Sequence, residues 1–502
     1  ATGAKARTRV DVYAPAMGHG EAVEKVTRQR AEAMASRLIE ADHWRKGMSP
    51  GYPLGLNIVD NTSMYTSWED MAIVLAGPRS GKSLCYAIPA VLSAPGPCLA
   101  TSNKGDILDV TAPIRRLDHP NGEIWTFDPE RIADPNRKSA PWVWDLIASV
   151  QSIADAKRIA DCWRYASGQP QTGGDDFFPG TAAQQLADYL FAAHLGGRSV
   201  SDVFRWCSNE RDTSPADILS EYPRYAGIAS RVSSVIALTP ETRSGVFGSL
   251  QTMVAFLADP EIIDWIDPHR DAEGNIDERR GLFDPYEFAT SEDTLYLLSA
   301  QGRPSTALTA SLTAVVAFTA FQRAQSEFTD NNRRLPVPLC CVLDEAANIC
   351  RWPELADVYS YFGSAGIPIM TIWQNPDQGR AAFGETNFGS LFNNANITVY
   401  LGGIKDAKFL GEISQLVGQR EIVRGSVNID GTGRRSVNNS IQKENILDVS
   451  DLTEWPVGRA LLLASQSRAQ IVKTLPWTGN RQWADALAQA KAKAREEQRK
   501  AA

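Results

Sequence analysis

The sequence predicts an α/β fold, a mainly parallel twisted sheet plus an all-α insertion domain, on three observations. Short apolar runs without alternation recur between helix-like stretches, one run leads into a glycine-rich loop, and strand signals become scarce between about residues 150 and 284. Unbroken apolar runs mark strands buried on both faces, and crossovers between them imply parallel pairing. The runs are 73–75, 98–100, 124–127, 295–298, 339–343, 367–373, 397–401 and 461–463.

Taken in chain order, residues 21–43 place Val23, Val26, Met34 and Leu38 among Arg, Glu and Lys, which predicts one peripheral helix with a narrow apolar face. Gly and Pro in 47–55 predict a linker. Within 150–284, Leu186/Leu190 and Val246/Leu250/Val254/Leu257 recur at helical spacing. The stretch 304–322 is uncharged and long enough to suggest a membrane span, but Ser305, Thr309 and Thr313 make it a buried helix. The Ala-rich, charged 481–502 predicts an exposed helical tail. The expected division is therefore 1–50, an N-terminal helical segment and linker; 51–149, the first part of the α/β domain that carries the glycine-rich loop; 150–284, the insertion; 285–480, the second part of that domain; and 481–502, the tail.

A length of 502 residues predicts more than one hydrophobic core, and 43 % hydrophobic with 22 % charged residues excludes a disordered or fibrous chain. The formal charge of -8 excludes a global basic field, so any nucleic acid contact is local. Seven cysteines without a C-x-x-C pair read as reduced, buried thiols, and five dispersed histidines give no zinc spacing.

The glycine-rich loop reads Ala76-Gly77-Pro78-Arg79-Ser80-Gly81-Lys82-Ser83, followed by Leu84 and an apolar helix start. In this strand-loop-helix context it is a Walker A motif. Small residues let backbone N–H groups wrap phosphates, Lys82 meets the β and γ oxygens, and the Ser83 hydroxyl suits Mg²⁺. Gly77 through Leu84 are thus the expected ATP contacts. Ala76 replaces the pattern's first glycine, which a backbone without positive φ accepts. The partner motif is the apolar strand ending in Asp344-Glu345, where Asp344 would hold Mg²⁺ and Glu345 would orient or deprotonate water. Gln374 closes another strand, at the sheet edge where ligands bind, and is the candidate γ-phosphate sensor. Expected catalytic residues are therefore Lys82, Glu345 and Gln374, with Ser83 and Asp344 as metal ligands. For DNA, Arg420, Arg424, Arg434 and Arg435 surround Asp430-Gly431, a hairpin turn flanked by Val423, Val427 and Val437.

With these motifs in hand, the chain resembles the TraG/TraD-type coupling proteins of conjugation and type IV secretion, over about residues 54–477. Besides the Walker motifs, the resemblance rests on Thr101-Ser102-Asn103-Lys104-Gly105-Asp106, Phe127-Asp128-Pro129, the box Leu343-Asp344-Glu345-Ala346-Ala347-Asn348-Ile349, Gln374, Asn394-Ala395-Asn396, Gly402-Gly403 and the closing pair 458–464 and 471–477. Its flavour is similar to coupling proteins of actinobacterial conjugative elements. It implies a RecA-like P-loop ATPase that uses ATP and Mg²⁺ and works as a homo-hexamer at the cytoplasmic face of the inner or plasma membrane. An anchor outside this soluble chain, or a partner, would hold it there. The implied partners are single-stranded DNA, a relaxase or other secreted protein, and a type IV secretion channel, with the insertion as the candidate relaxase contact. Where such proteins usually carry an Arg or Lys before the sensor strand, this chain has Gly363-Ser364-Ala365, and Arg351 or Arg380 are the candidate replacements for an arginine finger. Two other readings stay open: an FtsK/HerA-type double-stranded DNA translocase, and a nucleotide-binding substrate receptor with little hydrolysis.

Overall fold

The computed structural model describes residues 8–45, 47–168, 177–271, 274–303, 305–429 and 435–501, with side chains outside 424–440 and 497–501. The first strands are β1 (Pro53–Asn57), β2 (Ser63–Tyr65), β3 (Ala72–Leu75), β4 (Cys98–Ser102) and β5 (Ile124–Phe127). After them come β6 (Trp142–Trp144), β7 (Gly281–Phe283), β8 (Thr294–Leu298), β9 (Cys340–Leu343), β10 (Ile369–Trp373) and β11 (Ile397–Tyr400). The last are β12 (Gln419–Ile429), β13 (Arg435–Asn445), β14 (Arg459–Ala464) and β15 (Gln470–Lys473). An eleven-stranded sheet has the order β2-β1-β15-β14-β11-β3-β10-β9-β4-β8-β5. From β11 to β5 all neighbours pair in parallel, and β14, β15, β1 and β2 extend the sheet antiparallel.

Burial explains why these runs are strands. Ile73 and Leu75 of β3 pack into the hydrophobic cluster on one face, and Ala72 and Val74 into the cluster on the other. A strand covered on both faces needs apolar residues at every position, and Ala72–Leu75 supplies them. In β9, Cys341 and Leu343 face one cluster and Cys340 and Val342 the other. The cysteines are free thiols, six of them buried, and the described residues hold no His/Cys/Asp/Glu cluster suited to a metal.

The chain leaves the sheet after β5 and returns at β8, its neighbour, so a helical block hangs from one edge. Its helices run from Ile153–Ala166 to Pro260–Ile266. The stretch expected to be helical throughout ends instead in β7, which pairs in parallel with β6 and closes the block at its base. The apolar helix Ser305–Glu327 is long enough to cross a membrane, yet it is mostly buried. Trp163 of the block donates to the Ser311 hydroxyl at 3.3 Å, and Arg158 lies 3.5 Å over the Phe318 ring.

The N-terminal region departs from expectation in two places. In place of one helix over 21–43, a 3₁₀ segment Gly20–Val26 precedes the α-helix Arg28–Leu38. Thr27 adopts extended backbone between them, and its hydroxyl accepts from the Arg30 N–H as an N-cap. The expected linker 47–55 ends within β1, because Leu54 is buried and the strand finds a partner in β15. At the other end, the helix Arg481–Ala501 docks Trp483, Ala486 and Leu487 against the cluster that holds Leu108 and Val110.

Candidate nucleotide site

Strand order decides the site. β10 lies between β3 and β9, so the loop after β3, the acids after β9 and Gln374 after β10 meet at one edge. The loop is shaped from both sides. Gly81 has φ of 90°, which favours glycine, and Arg79 enters the same left-handed region at 61°. Gly77 is required by proximity: a Cβ there would lie 2.5 Å from the Gly403 carbonyl oxygen, and its N–H donates to the Gly402 carbonyl at 2.9 Å. Ala76 is absent from the positive-φ residues, so the missing glycine costs the loop nothing. The Ser80 hydroxyl donates to the Gly77 carbonyl at 2.7 Å. Pro78 and Arg79 are exposed, as is Leu84 at 43 %. Helix geometry begins at Ser83 with one wide π-type stretch, Ser83–Ala87, a form common at functional sites.

Lys82 reaches across to the acids. Its ammonium donates to Glu345 Oε1 and lies 3.2 Å from Asp344 Oδ1. Gln374 donates to the same Glu345 Oε1 at 2.5 Å, and Asn348 donates to Oε2 at 2.8 Å. Thr101 of β4 donates to the Asp344 carbonyl at 2.9 Å, tying the acidic turn to the neighbouring strand. Glu345 is 4 % exposed and has φ of 55°, a left-handed conformation that strains a non-glycine residue. Burial raises the Asp344 carboxyl, the Lys82 charge draws it back and Glu345 raises it again, leaving it at about 6. Burial alone would lower the Lys82 ammonium, but the two carboxylates outweigh it and raise it.

Asp344 Oδ1 is buried with no hydrogen-bond partner, although Lys82 stands at ion-pair distance. An orphaned carboxylate oxygen beside a loop that starts a helix at Ser83 fits a hard cation such as Mg²⁺ completed by phosphate oxygens. The candidate replacements for an arginine finger are engaged elsewhere. Arg380 pairs with Asp377, Glu385 and Asp406. Arg351 donates to the Ala347 and Tyr165 carbonyls. At Gly363 a Cβ would lie 2.1 Å from the Glu69 carbonyl oxygen, so no side chain fits there.

The expected basic hairpin is β12 and β13, paired antiparallel in register from Gln419↔Asn445 to Ile429↔Arg435. Arg434 lies outside the described residues, as do the side chains of Arg424 and Arg435. Arg420 stacks over the Tyr13 ring, 5.4 Å from its centroid. Thr101 opens the segment 101–106 that carries the resemblance, but its tie to Asp344 follows from the β4–β9 register and not from a local pattern.

Residues 338–457 match the family described as the TraM recognition site of TraD and TraG. No curated protein matches the chain by sequence. Among solved structures, the bacterial conjugative coupling protein TrwBdeltaN70, unbound, is similar at 14 % identity and a TM-score of 0.59, over 92 % of this chain and 96 % of that one. TrwB with the non-hydrolysable ATP analogue ADPNP is similar at 14 % identity and 0.57, over 90 % and 92 %. TrwB with ADP and Mg²⁺ is similar at 15 % identity and 0.57, over 90 % and 93 %. The fold is thus that of TrwB, a RecA-like P-loop arrangement with a helical insertion.

Proposed function

We propose that the chain is an ATPase of the conjugative coupling type, recruiting a relaxase with its single-stranded DNA and driving their transfer through a type IV secretion channel. The observation that carries the chemistry is the single cluster of Lys82, Asp344, Glu345 and Gln374 at the mouth of a phosphate loop. The coupling role draws support from the TraD/TraG match over 338–457 and the TrwB fold. That likeness, insertion included, favours coupling over the double-stranded DNA pump.

In the mechanism, loop amides and Lys82 take the phosphates, so Lys82 leaves Glu345. Gln374 turns its amide to the γ-phosphate, and Glu345 Oε1 is released while Asn348 keeps Oε2 in place. Oε1 then accepts a proton from water as its oxygen attacks the γ-phosphorus in line and the bond to the β-bridging oxygen breaks. Ser83 and Asp344 would hold Mg²⁺, which supplies charge neutralisation of the phosphates. Active assemblies are homo-hexamers at the cytoplasmic face of the membrane, held there by an anchor or a partner. The hairpin carrying Arg424, Arg434 and Arg435 tracks DNA backbone charge, and the block 150–284 contacts the relaxase.

The test is phosphate release from MgATP with single- or double-stranded DNA, with Lys82→Ala as blank. Stimulation by single strands supports the coupling motor; preference for duplex transfers the assignment to a double-stranded DNA pump, and a hexamer that binds ATP without turnover identifies a substrate receptor.

A further inference from the structure

Among the side chains at the phosphate position the balance is negative: Lys82 faces both Asp344 and Glu345, and Gln374 adds no charge. In phosphoryl transfer the charge spread over the γ-phosphoryl oxygens and growing on the leaving oxygen calls for cations beyond Lys82; Mg²⁺ would supply one, and a second basic side chain would add to it. Of the basic residues nearest in sequence to the site's motifs, Arg351 is occupied by carbonyls and Arg380 by three carboxylates. Arg79 differs from both. It sits on the phosphate loop itself, is exposed, and has no hydrogen bond or ion pair to a described residue.

Its backbone adds an independent observation. Arg79 has φ of 61°, where glycine or asparagine would sit at lower cost. Glu345, the proposed base, shares this strain at 55°. Strain kept at a site points to use of the side chain that bears it. The guanidinium also suits the task, because its planar fork meets two phosphate oxygens at once. Lys104 after β4, Arg303 after β8 and Lys405 after β11 are also exposed at this edge, but none of them sits on the phosphate loop, and Lys104 lies three strands from β3, beyond Asp344.

We propose that Arg79 folds back over its own loop and places its guanidinium on the γ-phosphate, acting in cis as the second basic side chain of hydrolysis. This rests on the ATPase reading and goes beyond the backbone role of the loop. Each subunit then carries a complete set of charges for chemistry, and subunit contacts serve movement.

The experiment compares wild type, Arg79→Ala, Arg79→Gly, Lys104→Ala and Lys82→Ala in MgATP turnover and in binding of ADPNP and ADP. Arg79→Ala is expected to lower kcat about 10²-fold and to reduce the preference for ADPNP over ADP about tenfold, leaving ADP affinity unchanged. Arg79→Gly relaxes the backbone, so it should raise the thermal midpoint while losing the same turnover; Lys104→Ala should keep it. Mixing Arg79→Ala with Lys82→Ala subunits should restore nothing, because each site lacks one of its own cations. Rescue on mixing overturns the cis assignment. Wild-type turnover and ADPNP preference in both Arg79 variants, beside a dead Lys82→Ala, overturn the proposal but not the ATPase reading. A wild type that binds no nucleotide overturns both.

Discussion

Two regions of this molecule hold a cation among oxygen atoms, one partly buried and one fully buried, and they do it in opposite ways. At the nucleotide edge, Lys82 meets two carboxylates, one of them on a left-handed residue, and an Asp344 oxygen is left without a hydrogen bond. On the far side of β3 and β10, Arg334 is 4 % exposed and spends its guanidinium on the carbonyls of Leu38, Trp68, Gly363 and Ser364, with Glu69 at 3.1 Å. Burial holds the Arg334 guanidinium down at about 10. Every oxygen there is a fixed partner, whereas at Lys82 the partners are ones that a phosphate can displace. The contrast separates a polar cluster that ties loops together from one poised for rearrangement: the first is satisfied, the second is strained and under-satisfied.

The largest effect that follows is at Lys82. Lys82→Ala should lower MgATP turnover by at least about 10³-fold, measured as phosphate release, with circular dichroism unchanged. At the other cluster the effect moves from rate to stability. Arg334→Met leaves several buried carbonyls unpaired and should cost about 3 kcal/mol, seen as a lower denaturation midpoint with turnover per folded molecule retained. Gly363→Ala presses on the Glu69 carbonyl and should cost roughly 1–3 kcal/mol, again without loss of turnover. The smallest net effect on stability is at Glu345. Glu345→Gly relieves about 1 kcal/mol of left-handed strain but takes the acceptor from Lys82, Gln374 and Asn348, about 1–3 kcal/mol the other way, so it should melt close to or slightly below wild type while abolishing turnover; a thermal melt beside a phosphate assay reads both. A melt several degrees below wild type would mean that strain at Glu345 offsets little of its hydrogen bonding.

The same contrast explains what could be read from sequence. β3 and β9 were legible because Ala72–Leu75 and Cys340–Leu343 are apolar throughout, a pattern that burial on both faces forces. Lys82, Ser83, Asp344 and Glu345 were legible because loop chemistry restricts residue type within a few positions. The strand order was not, since the placing of β10 between β3 and β9 is a long-range choice. For that reason the direct bond from Gln374 to Glu345, and the tie from Thr101 to Asp344, had no local signal. Arg334 carries no local signal: in Asn332-Arg333-Arg334 it looks like one of a solvated pair of charges, and its burial comes from three distant segments. The split at Thr27 was hidden by a helical spacing that continues through it, where the cap competes with the helix.

The decisive measurement is a paired one on Glu345→Gln: equilibrium binding of MgATP and the rate of phosphate release at saturation. The variant keeps the shape and the Asn348 contact but cannot take a proton, so binding should stay within about twofold of wild type while release falls roughly 10²–10⁴-fold. Equal release by variant and wild type would contradict Glu345 as the base, and with it the reading of this strained cluster as the engine of the molecule.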